Sequence, residues 1–194
     1  MIKLGLTGGI GSGKTIIGKL FELNGYPVFH SDEVAKGIYS VADVKQQMIH
    51  LFGEDIYLPD QAIDRKKLAT LIFNDEYLLK SVEEIVHPAV RNNFVQWSNQ
   101  QDASLVLFEA AILFEGGQYK NMHRNILVTA EEEIRIKRVM QRDNCTEEQV
   151  RERIARQWPD ERKRELADFR IWNNGNELLM PQVLTIIEQI KTHG

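Results

Sequence analysis

An α/β fold built on a parallel five-stranded sheet is what this chain of 194 residues predicts, on three observations. Its short apolar runs lack polar alternation, the mark of strands buried on both faces. Helical patterns separate those runs and supply the crossovers that parallel strands need. A glycine-rich stretch, Gly8-Gly9-Ile10-Gly11-Ser12-Gly13-Lys14-Thr15, lies between the first run and the first helical pattern.

In chain order, Ile2–Leu6 is the first strand and breaks at Thr7-Gly8-Gly9. From Lys14 to Asn24, apolar residues recur at Ile16, Ile17, Leu20, Phe21 and Leu23, which is helical spacing, and Gly25 stands where a glycine closes a helix. Tyr26–Phe29 reads as the second strand, with Pro27 confined to its start. The chain then changes character. Helical patterns cover Asp32–Tyr39, Val41–Leu51, Arg65–Phe73, Glu76–Ile85 and Pro88–Trp97, with no convincing strand. Pro88 fits the first turn of a new helix, with His87 near its cap, because proline has no amide hydrogen to lose there. Leu105–Phe108 and Ile126–Val128 return to buried-strand character. Glu131–Gln141 and Thr146–Gln157 are helical, the second opened by a Thr146-x-x-Gln149 capping box. Phe169–Trp172 reads as a last strand and Leu178–Ile190 as a closing helix. The expected organisation is a core over residues 1–31 and 100–194, an arginine-rich hairpin at about 136–165, and a helical insertion over 32–99.

Composition excludes several classes. A hydrophobic content of 43% with no low-complexity tract excludes a disordered chain. No apolar run approaches the roughly 18 residues of a membrane span, and the N-terminus lacks the apolar region of a signal peptide. A single cysteine, Cys145, precludes an internal disulfide and fits a cytoplasmic protein. The histidines at 30, 50, 87, 123 and 193 show no metal-ligand spacing. Net charge is −4, so nucleic acid is not the expected partner. That average hides an asymmetry: residues 135–170 hold eleven of the 24 Lys+Arg and eight acids, leaving +3 there and −7 elsewhere. Such a segment suits either a compact anionic ligand, for instance a phosphate, or a solvated helical face laced with ion pairs.

The glycine-rich stretch fits G-x-x-x-x-G-K-[ST] in the strand-to-helix setting that this motif requires. Glycines let backbone amides turn inward onto phosphate oxygens, and the following helix adds unpaired N–H groups and its positive dipole end. Lys14 is expected to bridge β- and γ-phosphates and the Thr15 hydroxyl to bind Mg²⁺. The nucleotide contacts are expected at Gly9, Gly11, Ser12, Gly13, Lys14, Thr15 and Ile16. A nucleotide binder of this kind could be a switch, a motor or a phosphotransferase; the D-x-x-G and N-K-x-D strings of guanine-selective switches are both absent, which disfavours a regulatory switch, and the strand-end acids favour a phosphotransferase. Asp32 follows the second strand, at the carboxyl edge where α/β folds bind ligands. It reads either as the group that accepts or orients an acceptor hydroxyl, or as an N-cap for the helix beginning near Glu33. Glu109 ends the third strand, in the place of a carboxylate that holds Mg²⁺ through water; Glu115 reads as an ordinary loop or helix acid. Arg138 and Arg142 share a helix face with Arg135, placed to clamp phosphate charge or to pair with neighbouring acids.

The chain resembles the dephospho-CoA kinase family over nearly its whole length. The resemblance rests on Gly5-Leu6-Thr7-Gly8-Gly9-Ile10-Gly11-Ser12-Gly13-Lys14, Ser31-Asp32, Ile63-Asp64-Arg65 with Leu68, Ile85-Val86-His87-Pro88-x-x-Arg91, and Leu113-Phe114-Glu115. It continues in Arg138 and Arg142, Arg153 with Gln157, Ala167-Asp168, and Asn173. The resemblance implies a three-layer P-loop NTPase core with a helical substrate-binding insertion and an arginine-rich helical lid. It implies an enzyme that uses ATP and Mg²⁺ to phosphorylate the ribose 3′-hydroxyl of dephospho-CoA. By resemblance, Asp32, Lys14 and Arg142 are catalytic, Arg138, Arg142 and Asn173 contact ATP, and Arg65, His87 and Arg91 face the acceptor with Asp32. The expected partners are ATP and dephospho-CoA, with no nucleic acid and no membrane, and the chain is expected to be a monomer or weak homo-oligomer. Three residues depart from the family's usual pattern: Glu109 stands for aspartate, Ala111 stands for proline and so frees the backbone there, and Arg135 stands for glutamine, where it is expected to add positive charge at the lid entrance.

Overall fold

β1 (Ile2–Thr7) is the middle strand of a five-stranded sheet ordered β2 (Val28–His30), β3 (Leu105–Glu109), β1, β4 (Arg124–Thr129), β5 (Phe169–Trp172). Every neighbouring pair is parallel. The computed structural model describes residues 1–73 and 75–193. Each apolar run expected as a strand is one, with ends moved by one or two residues. At β2 the shift has a visible cause: Pro27 has no N–H to give, although its carbonyl still accepts the Leu107 amide at 2.9 Å.

Leu105, Val106, Leu107 and Phe108 are each at most 3% exposed, so β3 is covered on both faces, as its lack of alternation implies. One face carries α1 (Lys14–Leu23) and α9 (Leu179–His193). Ile17, Phe21, Val183, Ile186 and Ile190 from these helices pack on Leu4, Leu6, Leu107, Ile126 and Val128 of the strands. On the other face Phe29 and Phe108 stack with ring centroids 5.5 Å apart.

After β4 come α6 (Glu132–Asp143), α7 (Glu147–Ala155) and α8 (Asp160–Leu166). The Thr146/Gln149 capping box opens α7 as expected. Ile136, Val139 and Val150 form a small core of their own, against which Ile10 and Cys145 pack; Cys145 serves there as a small apolar side chain. The seven residues of α8 carry almost no apolar pattern, which is why the sequence does not announce this helix.

By contacts the chain divides into two compact units, residues 1–30 with 101–194, and residues 31–100. The second unit is helical: α2 (Ser31–Gly37), a 3₁₀ turn, α3 (Ala42–Phe52), α4 (Arg65–Phe73) and α5 (Glu76–Asn99). The expectation of two helices meeting at Pro88 is wrong. α5 runs unbroken for 24 residues with Pro88 inside it. Val82, Val86, Val90, Phe94 and Ser98 form a buried stripe at four-residue spacing that crosses the proline. Burying each large apolar side chain contributes roughly 1.5–3 kcal/mol, and four of them outweigh the ~3 kcal/mol that an interior proline costs. Among the described residues no helix is long and apolar enough to cross a membrane.

The strand order places β2 and β3 on one side of β1, and β4 and β5 on the other. The chain therefore reverses its winding beside β1, and ligands of such sheets bind at the strands' carboxyl ends near that point. The glycine-rich loop leaves β1 there.

Candidate active site

The loop from Gly8 to Thr15 is clamped from outside by side chains of distant segments. Arg135 Nε donates to Ile10 O at 3.0 Å, and Asn173 Nδ2 donates to Ser12 O at 2.8 Å. Arg138 Nη1 donates to Asn173 O at 2.9 Å, with Gly11 O at 3.5 Å. The Ile10 amide donates to Gln157 Oε1 at 2.9 Å. The Ser12 amide is likewise used within the loop, donating to Gly9 O at 3.1 Å; a glycine-rich loop of this kind offers its remaining N–H groups to phosphate oxygens.

Two glycines are required by these approaches. Gly13 has φ +96°, and a Cβ there would lie 2.2 Å from Asn173 Nδ2. A Cβ on Gly9 would lie 2.4 Å from Arg135 Nη2. Lys14 Nζ donates to Gly8 O at 2.9 Å, folded back along the loop. The Ser12 hydroxyl is buried with no hydrogen-bond partner among the described residues, an orphan that a bound anion's oxygen suits. Thr15 and Ile16 lie exposed on the first turns of α1.

Arg135 overturns one expectation. Its side chain is only 7% exposed and pairs at 3.4 Å with Asp160, itself 14% exposed, whose other oxygen accepts the Thr129 hydroxyl at 2.8 Å. It lies beneath the loop with its charge matched, not at a lid entrance. Arg142 is 63% exposed and makes two bonds to its neighbour Asp143, at 2.7 and 3.0 Å. Arg153 reaches the same carboxylate at 2.8 Å. The hydrogen bond from Arg142 and the added Arg153 charge pull the Asp143 carboxyl down to about 2. Asn173 is buried, its carboxamide spent on Ser12 O and, at 3.4 Å, on Arg138.

Glu109 ends β3 in register with Leu6 of β1 and His30 of β2. Its Oε2 lies 2.5 Å from His30 Nδ1. The Thr15 hydroxyl and the Glu109 carboxylate are hard oxygen donors, and so small a protein ligand set, completed by water and substrate phosphates, fits Mg²⁺. Glu115 is more than an ordinary acid: it accepts the Trp158 amide at 2.9 Å and pairs at 3.0 Å with the fully buried Lys163.

In the helical unit, Asp32 is the second residue of α2 and is exposed. The helix begins at Ser31, so the N-cap reading of Asp32 fails; its carboxylate sits within the first turn, where the helix dipole favours negative charge. Arg65 opens α4 and donates to Lys36 O at 2.6 Å, at the far end of α2. Burial pushes the Tyr39 phenol up, opposed by the Arg65 charge beside it. His87 and Arg91 are four residues apart on α5 and share one face.

Gln157 and His30 escaped the sequence reading as site residues. The usable signal for His30 was its place at a strand end; that this strand lies beside the one Glu109 terminates is decided by the sheet order.

A parallel sheet with a phosphate loop after its central strand and arginine-bearing helices after β4 defines a kinase of the P-loop class. A sequence model of the dephospho-CoA kinase family matches residues 2–178, and the chain belongs to that family. A dephospho-CoA kinase from Bacteroides fragilis is 38% identical over 188 residues, covering 96% of this chain and 91% of its own. A Thermus thermophilus protein of solved crystal structure superimposes with a TM-score of 0.84 at 33% identity, covering 98% of this chain and 96% of that one. The dephospho-CoA kinase from Campylobacter jejuni gives 0.69 at 25% identity, covering 98% and 97%.

Proposed function

We propose that this chain transfers the γ-phosphate of ATP to the ribose 3′-hydroxyl of dephospho-CoA, completing coenzyme A. The observation that carries the reading is the clamped phosphate loop, in a chain whose residues 2–178 match that kinase family. ATP lies on Gly9, Gly11, Ser12, Gly13, Lys14, Thr15 and Ile16, with Lys14 leaving Gly8 O for the phosphates. Asp32 accepts the proton as the 3′-oxygen bonds to the γ-phosphorus and the bond to the β-phosphate oxygen breaks, releasing ADP. Arg138 and Arg142 meet the charge on the transferring group, for which Arg142 exchanges Asp143 for phosphate. Arg65, His87 and Arg91 hold the acceptor. Thr15 and, through water, Glu109 would hold Mg²⁺, which would supply neutralisation of the phosphate charge. Asn173 acts in this reading through Ser12 and Arg138 as a support of the loop.

The test is ADP release from ATP with dephospho-CoA, against nucleoside monophosphates, nucleosides and small polyols. Strong stimulation by dephospho-CoA alone is expected. No stimulation by it, or preference for a nucleoside monophosphate, would overturn the acceptor assignment.

A further inference from the structure

Glutamate is a poorly determined tool for the metal-holding task that the kinase reading gives Glu109. Its side chain has three torsions, and ordering it costs up to about 1.5–2 kcal/mol of rotamer entropy. The structure supplies a restraint. His30 is the last residue of β2 and lies in register opposite Glu109. The imidazole Nδ1 is 2.5 Å from Glu109 Oε2, and the carboxylate is only 11% exposed. The ring, 31% exposed, lies beside α1: its Cε1 is 3.9 Å from where a Cβ on Gly18 would stand, and Nε2 is 3.9 Å from Glu22 Oε1, beyond hydrogen-bond reach. The sheet register thus sets the imidazole against the carboxylate, with α1 flanking the ring. A carboxylate partner selects the tautomer with the hydrogen on Nδ1, which donates to Oε2. Oε1 is then the oxygen left to accept from a metal-bound water.

We propose that His30 is a positioning residue: its Nδ1–H fixes the Glu109 carboxylate so that Oε1 serves the Mg²⁺ site. The inference rests on the kinase reading and on the role of Glu109 within it. Partners that orient a metal-ligating group typically change metal affinity by roughly 10–100-fold when removed.

The experiment reads metal binding without turnover: Mn²⁺ binding to the protein–ADP complex, followed by electron paramagnetic resonance, for wild type, His30→Ala, His30→Asn, Glu109→Gln and the His30→Ala/Glu109→Gln pair. His30→Ala is expected to raise the Mn²⁺ dissociation constant about tenfold or more, while metal-free ADP affinity stays at the wild-type value. His30→Asn, whose amide N–H can reach the same oxygen, is expected to recover most of the loss and guards against misfolding of the alanine variant. In the Glu109→Gln background, His30→Ala is expected to add nothing. Unchanged Mn²⁺ affinity in His30→Ala, or an equal loss with and without Glu109, overturns the positioning role while the kinase reading stands. A wild-type protein that binds ADP but no Mn²⁺ overturns both.

Discussion

Arg135 and Arg142 lie seven residues apart on one face of α6, yet one is scaffold and the other is surface. Arg135 is buried, pairs with Asp160 and spends Nε on a loop carbonyl. Arg142 is exposed and, among the described residues, pairs with the residue that follows it. A buried pair cannot lose one member cheaply, because the other charge is left desolvated. An exposed pair can exchange partners at little cost, because solvent already screens it. The burial of a charge therefore separates the parts that hold the site's shape from the parts available for a substrate.

That contrast can be broken by substitution, beginning with the exposed acid Asp32. Asp32→Asn is expected to lower kcat by about 10²–10⁴-fold with ATP affinity and the denaturation midpoint near wild type; unchanged turnover would remove it from the chemistry. Next, Arg135→Ala is expected to cost about 3–5 kcal/mol in urea unfolding, and Arg135→Ala/Asp160→Ala less than the sum of the two single changes. A loss below ~1 kcal/mol would place Arg135 with ordinary surface pairs. Arg142→Ala should do the opposite, lowering kcat/KM with at most a slight shift of the midpoint. Asn173→Ala leaves Ser12 O without its donor and is expected to cost about 1–3 kcal/mol, with weaker ATP binding in calorimetry.

The smallest effect is electrostatic. The Asp143 carboxyl is depressed from 3.8 to about 2 by Arg142 and Arg153. Its contribution is present in full above pH 3.8 and disappears as pH falls through about 2. Wild type and Asp143→Asn should therefore differ slightly in denaturation midpoint at neutral pH and converge near pH 2. A constant difference across that range would show that the ion pair is not its source.

Much of the sheet was legible because a strand buried on both faces leaves a composition with no alternation. Leu105–Phe108 shows it plainly. The phosphate loop was legible because eight consecutive residues hold its whole chemistry. Pro88 misled because proline's local effect was weighed without the stripe from Val82 to Ser98 that overrides it. The clamps escaped for a different reason. Arg135 with Ile10, Gln157 with Ile10, and Asn173 with Ser12 join residues 125, 147 and 161 positions apart, and no local pattern encodes such pairs.

By itself the sequence determined the α/β class, the phosphate-binding loop and the strand-end carboxylates, since these depend on hydrophobic period and on covalent neighbours. Only the tertiary structure decided that Arg135 lies beneath the loop and Arg142 outside it, that α5 is one helix, and that His30 faces Glu109. Each of those outcomes depends on which distant segment arrives to exclude water or supply a partner. Burial sets the energy of a charge, and burial is a property of the packed chain.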